Sequence, residues 1–159
     1  MQKIGKYAFG YNTSLQTVLL KEGVPYISEG MFIFCQKLGS ISLPASVSYV
    51  GKAAFENCKK LSSVKITGNG LKAIEEAAFR HCVALKSIAF SEGVETIGAD
   101  AFFGCEKLSS VTLPASVTSI GDYAFGGCSN KITFTVVDGS YAQKWATDNG
   151  FNVKIKKSK

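Results

Sequence analysis

The chain of 159 residues is long enough for one domain with a substantial core and too short for two of ordinary size. Hydrophobic residues at 46% and charged residues at 19% exclude a disordered chain, and apolar runs of only a few residues exclude a membrane-spanning helix. The formal charge is +6, but removing Lys154, Lys156, Lys157 and Lys159 leaves 14 basic against 12 acidic residues, a body of +2 with no footprint for nucleic acid.

The chain opens on Met1-Gln2-Lys3-Ile4-Gly5-Lys6, charged but followed by no apolar run of signal-peptide length. It therefore reads as cytosolic, or as a mature or truncated piece of something longer. Self-similarity then dominates. Ala-Phe recurs at Phe9, Phe55, Phe79, Phe102 and Phe125, with Met31-Phe32 in the remaining slot, at spacings of 23, 23, 24, 23 and 23. Three residues after each stands Asn12, Cys35, Cys58, Cys82, Cys105 or Cys128, and leucine and valine or isoleucine positions follow in phase. An aliphatic residue precedes each Ala-Phe: Ile4, Ile27, Val50, Ile74, Ile97 and Ile120. This pattern predicts a solenoid of six coils over residues 1–138. The extra residue of the 24-residue interval falls in residues 67–70, where two glycines and an asparagine suit a loop tip.

Within each coil, Leu61-Ser62-Ser63-Val64-Lys65-Ile66 alternates in the manner of a strand, and Pro44 and Pro114 close their strands because proline cannot donate to a ladder. A second short extended piece leads to Ile-Gly, and Ala-Phe-x-x-Cys follows as a short turn or helix. Six parallel coils about 4.8 Å apart make a rod of roughly 25–30 Å. The last repeat degrades after Cys128. Ser140 and Gln143 then form a capping box, Tyr141, Ala142, Trp145 and Ala146 share a helical face, Gly150 suits the helix end, and Phe151, Val153 and Ile155 alternate as a final strand. Residues 139–159 thus read as a C-terminal helix–strand cap with a basic, solvated tail. At the other end the chain starts in mid-repeat. Tyr11, Ile33 and Phe34 occupy turn positions there, and exposed beside an uncapped edge they form a partner-packing patch for a missing segment or for self-association.

The pattern Cys-x-x-Leu-x-x-Val-x-Leu-Pro-x-Ser-Val-x-x-Ile-Gly-x-x-Ala-Phe-x-x-Cys runs unbroken over residues 105–128 and resembles the BspA-like (Treponema pallidum type) leucine-rich repeat. The resemblance extends over residues 4–155, including the ending Gly139-Ser140-Tyr141-Ala142. It implies a leucine-rich-repeat solenoid, mainly β with short turns or helices, built as a parallel strand stack with a C-terminal helix–strand cap. It also implies part of a longer secreted or cell-surface bacterial protein that attaches to extracellular matrix or cell-surface protein or glycan. The family pattern itself specifies no ligand, because ligand contacts lie at variable positions.

The residues offer little catalytic chemistry. Five cysteines spaced 23 or 24 apart stack one coil above the next and lack the close pairs of a zinc site, so no metal or cofactor is expected and the thiols read as structural. An odd count also prevents all five from joining in intrachain disulfides. The single histidine, His81, adjoins Cys82, but four other repeats keep the cysteine without it. No Ser-His-Asp set or phosphate loop appears, and the pair Glu75-Glu76 has no second carboxylate at matching depth for glycosidase chemistry, so no enzyme is expected. The functional candidates are the outward strand positions. One row runs Thr17, Ser40, Ser63, Ser87, Ser110, Thr133; the next runs Leu19, Ser42, Lys65, Ala89, Thr112, Thr135. Ser40, Ser42, Ser63, Lys65, Ser87, Ser110, Thr112, Thr133 and Thr135 form a flat, hydroxyl-rich surface able to bind a peptide or glycan. A spacer that holds another domain away from the cell, with no ligand of its own, is the rival reading.

Overall fold

The computed structural model describes residues 4–156. Four coils each contribute a front strand and then a two-residue back strand: β1 (Ser40–Leu43) and β2 (Tyr49–Val50), β3 (Ser63–Ile66) and β4 (Ala73–Ile74), β5 (Ser87–Ala89) and β6 (Thr96–Ile97), β7 (Ser110–Thr112) and β8 (Ser119–Ile120). Strand β9 (Thr133–Val137), helix α1 (Tyr141–Asp148) and strand β10 (Asn152–Lys156) complete the chain. Every pairing is parallel, and register follows the repeat, with Ser40 opposite Ser63 and Ser87 opposite Ser110 opposite Thr133. The expected solenoid and its helix–strand ending are both present.

Two local features depart from the sequence expectation. The front sheet is two hydrogen-bonded blocks, β1–β3 and β5–β7–β9–β10, and the break coincides with the one 24-residue interval. The back ladder β2–β4–β6–β8 runs through without interruption, so residues 67–70 absorb the insertion before the chain reaches β4. In the first coil Thr17 and Leu19 lie outside any strand, and Leu19 is 82% exposed. The Ala-Phe-x-x-Cys segments are turns, the first of the two forms expected.

These turns have an unusual backbone. In all six copies the residues two before and two after the phenylalanine have positive φ, and most are not glycine: Ala53 at 52° and Asn57 at 59° flank Phe55, and Ala77 at 56° and His81 at 57° flank Phe79. Such a conformation costs a residue with a Cβ about 1 kcal/mol. Hydrogen bonds to the next coil hold it in place. Alternate N–H groups donate forward, Ala53 to Glu76 (2.9 Å), Phe55 to Ala78 (2.7 Å) and Asn57 to Arg80 (2.8 Å), while the N–H groups of Glu56 and Cys58 close local turns. The Ile-Gly step just upstream brings coils close: a Cβ on Gly98 would lie 2.6 Å from the backbone nitrogen of Glu76.

The core is a set of columns. Phe9, Phe32, Phe55, Phe79, Phe102 and Phe125 stack face to face at 5.1–5.6 Å between ring centres. The column then turns edge-on into Phe134 and tilts against Trp145, with Phe151 against both of these. Helix α1 lays Ala142 and Ala146 into this end. Its start is held by the Ser140 hydroxyl, which accepts the Gln143 N–H (3.2 Å), and by the Gln143 side-chain oxygen, which accepts from Gly139 (2.6 Å) one residue before the cap itself. Its end is a Schellman motif: Gly150 at φ 73° donates to Thr147 and Phe151 donates to Ala146. The Tyr141 hydroxyl accepts the N–H of Ile120 (3.3 Å), taking the place of a carbonyl from a further back strand.

Candidate interaction surface

The pleat of the front strands decides what faces solvent. Ile41, Val64, Ile88 and Val111 point into the core, so Ser40, Ser63, Ser87 and Ser110 stand exposed in one row and Ser42 and Lys65 in the next. Thr112, Thr133 and Thr135 lie in the same rows, half-buried. Hydroxyls one position earlier bond back to the preceding coil, Ser62 to Gly39 (3.2 Å) and Ser109 to Lys86 (3.5 Å), and leave the outward rows facing solvent. The structure therefore brings together all nine front-face candidates and leaves Thr17 and Leu19 aside.

Strand β10 adds residues that the sequence reading placed in a tail. It pairs with β9 so that Asn152 continues the first row beside Thr133, and Lys154 continues the second beside Thr135. Lys154 and Lys156 are thus strand residues; Lys157 and Lys159 lie outside the described residues. The signal was present in the Phe151, Val153, Ile155 alternation, which puts the lysines on the outward phase.

The aromatic patch is divided. Tyr11 is 64% exposed and stacks on half-buried Phe34 at 5.3 Å. Ile33, however, is 7% exposed: its N–H closes a local turn onto Gly30, and it packs beneath Gly10, where no side chain competes for the space. Ile33 belongs to the core and drops out of the surface patch.

The cysteines form a ladder of free thiols. Each donates to the carbonyl of the phenylalanine one coil back, as Cys58 does to Phe32, Cys82 to Phe55 and Cys105 to Phe79, all at 3.2 Å. The Phe55 carbonyl also accepts the Cys58 N–H, so one oxygen joins two coils. Loss of solvation pushes the thiols of Cys58 and Cys128 up to about 12, and burial raises Cys35, Cys82 and Cys105 as well. At neutral pH these are protonated, unreactive groups. His81 sits in its turn edge-on to Phe103, while the Cys82 thiol is committed to the Phe55 carbonyl, so the two form no dyad. Among the described residues no three histidine, cysteine or acidic side chains converge on a metal position. No described helix is long and apolar enough to cross a membrane. A groove of about 650 Å³ lies between the last coil and the cap, bordered by Tyr123, Phe125, Trp145 and Asn149.

A parallel solenoid whose front strands expose small polar residues over a phenylalanine and cysteine core is the architecture of a leucine-rich-repeat interaction module. The profile of the BspA type leucine rich repeat region matches residues 2–133 in six copies, and the chain belongs to that family. No curated protein matches the chain. Among solved structures it is similar to the Treponema pallidum leucine rich repeat protein, at 33% identity over 82% of this chain and 61% of that one, with a TM-score of 0.70. A leucine rich cell surface protein from Faecalibacterium prausnitzii shares 35% identity over 80% of this chain and 33% of its own length, at a TM-score of 0.71. A leucine-rich repeat protein from Bacteroides ovatus is 26% identical over 98% of this chain and 45% of its own, at 0.70. The chain thus spans between a third and three-fifths of these proteins.

Proposed function

We propose that this chain is the repeat region of a cell-surface or secreted protein and serves adhesion. It binds an extracellular matrix or cell-surface protein or glycan through the front face formed by Ser40, Ser42, Ser63, Lys65, Ser87, Ser110, Thr112, Thr133 and Thr135. The observation that carries this reading is the alignment of outward hydroxyls within each block of the front sheet, with Lys65 the one long side chain among the nine and with β10 prolonging both rows of the second block. The Faecalibacterium relative, a cell surface protein by name, supports the location. Lacking aromatic or arginine anchors, the face binds weakly per coil and gains by repetition. Tyr11 and Phe34 are a second contact, for self-association at the N-terminal edge. No catalytic step is assigned.

The test is capture of the purified chain by immobilised matrix proteins and neutral glycans at physiological salt. Ser63→Asp, Ser87→Asp and Ser110→Asp are combined in one variant whose folding is checked by its urea midpoint. Saturable capture that falls at least about tenfold in the variant supports the face, since a buried-in-complex charge costs well over 1 kcal/mol. Absence of capture by the unaltered chain favours the spacer.

A further inference from the structure

The front of the solenoid is more basic than its overall charge suggests. In the spans from each cysteine to the end of the following front strand, together with β10, nine lysines stand against a single acid, Glu106. In the intervening back and turn spans of the same coils the balance reverses, with seven acids against three basic residues. The repeat lines these charges up. Lys37, Lys60 and Lys107 occupy the same position, two residues after their cysteines, and form a ridge, interrupted at Ala84, where the chain turns into the front strands. Lys65 and Lys154 stand on the face itself, in one row.

Neutralisation is equally one-sided. The four ion pairs among the described residues join Lys6 to Glu29, Lys52 to Glu76, Lys72 to Glu95 and Lys144 to Asp148, all away from the front. None of the nine front lysines pairs with a carboxylate, and all nine are exposed. A strip of unpaired like charges destabilises its own fold, and a bound polyanion relieves that repulsion.

We infer that the front face and its lysine ridge bind a linear polyanionic polysaccharide laid along the solenoid axis. The inference rests on the front-face reading above and names the ligand class. Hydroxyl rows beside the lysines suit a sugar chain, whose own hydroxyls need donors and acceptors between its charges. Strands about 4.8 Å apart present a polar contact at every coil along such a chain. A single-stranded nucleic acid is less well served, because Tyr7, Phe9, Tyr11, Tyr123 and Tyr141, the exposed aromatics, all lie off the front strands and offer no stacking platform there. Front strands β1 to β9 also lack the exposed large apolar residues that insert into a lipid surface.

The experiment measures binding of the full chain to heparin, neutral dextran, duplex DNA and phosphatidylserine vesicles at physiological salt. Three variants accompany it: Lys37→Ser/Lys60→Ser/Lys107→Ser on the ridge, Lys52→Ser/Lys72→Ser on the back, and Lys157→Ser/Lys159→Ser at the terminus. Urea midpoints confirm that each folds. Heparin bound in preference to the other probes, with affinity reduced roughly 100-fold by the ridge variant and by less than about threefold in the other two, supports the inference, at about a factor of five per lysine. Equal loss in the back variant, loss from the terminal variant alone, or DNA or vesicles bound as tightly as heparin overturns it. If heparin is not bound while matrix capture still depends on Ser63, Ser87 and Ser110, this inference fails and the front-face reading stands; absence of both removes both.

Discussion

At the scale of single residues the cysteine ladder shows how one side chain serves packing and hydrogen bonding together. A thiol fills a small space in a dry core, and as a weak donor it adds a bond to a phenylalanine carbonyl that is already engaged within its own coil. The same burial makes the fold sensitive to base. An unfolded thiol releases its proton near 9.0, whereas Cys58 and Cys128 hold theirs up to about 12 when folded. Between those limits the unfolded chain binds fewer protons than the folded one, so stability is full below pH 9 and is lost as pH rises toward 12, by about 1.4 kcal/mol per pH unit for each such thiol. Urea midpoints should therefore be level from neutrality to about pH 8.5 and fall steeply beyond. Cys82→Ser, which keeps a donor and removes the titration, should make the slope shallower by about 1.4 kcal/mol per pH unit. An unchanged slope would mean that other groups drive alkaline unfolding.

At the scale of elements, α1 and β10 together close what a further coil would otherwise cover. Trp145 and Phe151 seal the outer face of the phenylalanine column, and β10 pairs along the full length of β9. The back strand receives only the Tyr141 hydroxyl on the N–H of Ile120. Tyr141→Phe leaves that donor without its partner and should cost about 1–2 kcal/mol by urea denaturation. Hydrogen exchange at the Ile120 amide should quicken, while amides in β4 and β6 stay protected. If both probes are unmoved, water serves that donor as well as the hydroxyl does. On the front side β1 pairs with β3, and the first coil's residues 17–20 form no ladder with β1.

At the scale of the whole molecule, stacking turns a sequence period into spatial columns, and charge obeys the same rule as phenylalanine. The body charge of +2 computed along the chain conceals a basic front and an acidic back, because composition has no direction. Screening should therefore stabilise this protein. Raising sodium chloride from about 20 mM to about 500 mM shrinks the Debye length several-fold and should raise the urea midpoint, with Lys60→Gln showing a smaller gain. A fall would mean that the exposed ion pairs at Lys6, Lys52 and Lys72 outweigh the front repulsion.

The amino-acid sequence by itself determined the solenoid, its period, the six phenylalanine positions, the front-face rows and the helix–strand ending. Each of these is a matter of phase, and phase is written in one dimension. Only the tertiary structure decided that Ile33 is core while Tyr11 is surface, because both occupy turn positions and the difference is the room left beneath Gly10. Only it showed the turns to be held in left-handed backbone by forward hydrogen bonds to the next coil, since alanine, tyrosine and phenylalanine carry no such preference of their own. That the front lysines stand unpaired was likewise beyond the sequence. An ion pair depends on what the neighbouring coil places within about 4 Å, a distance across the stack that no spacing along the chain specifies.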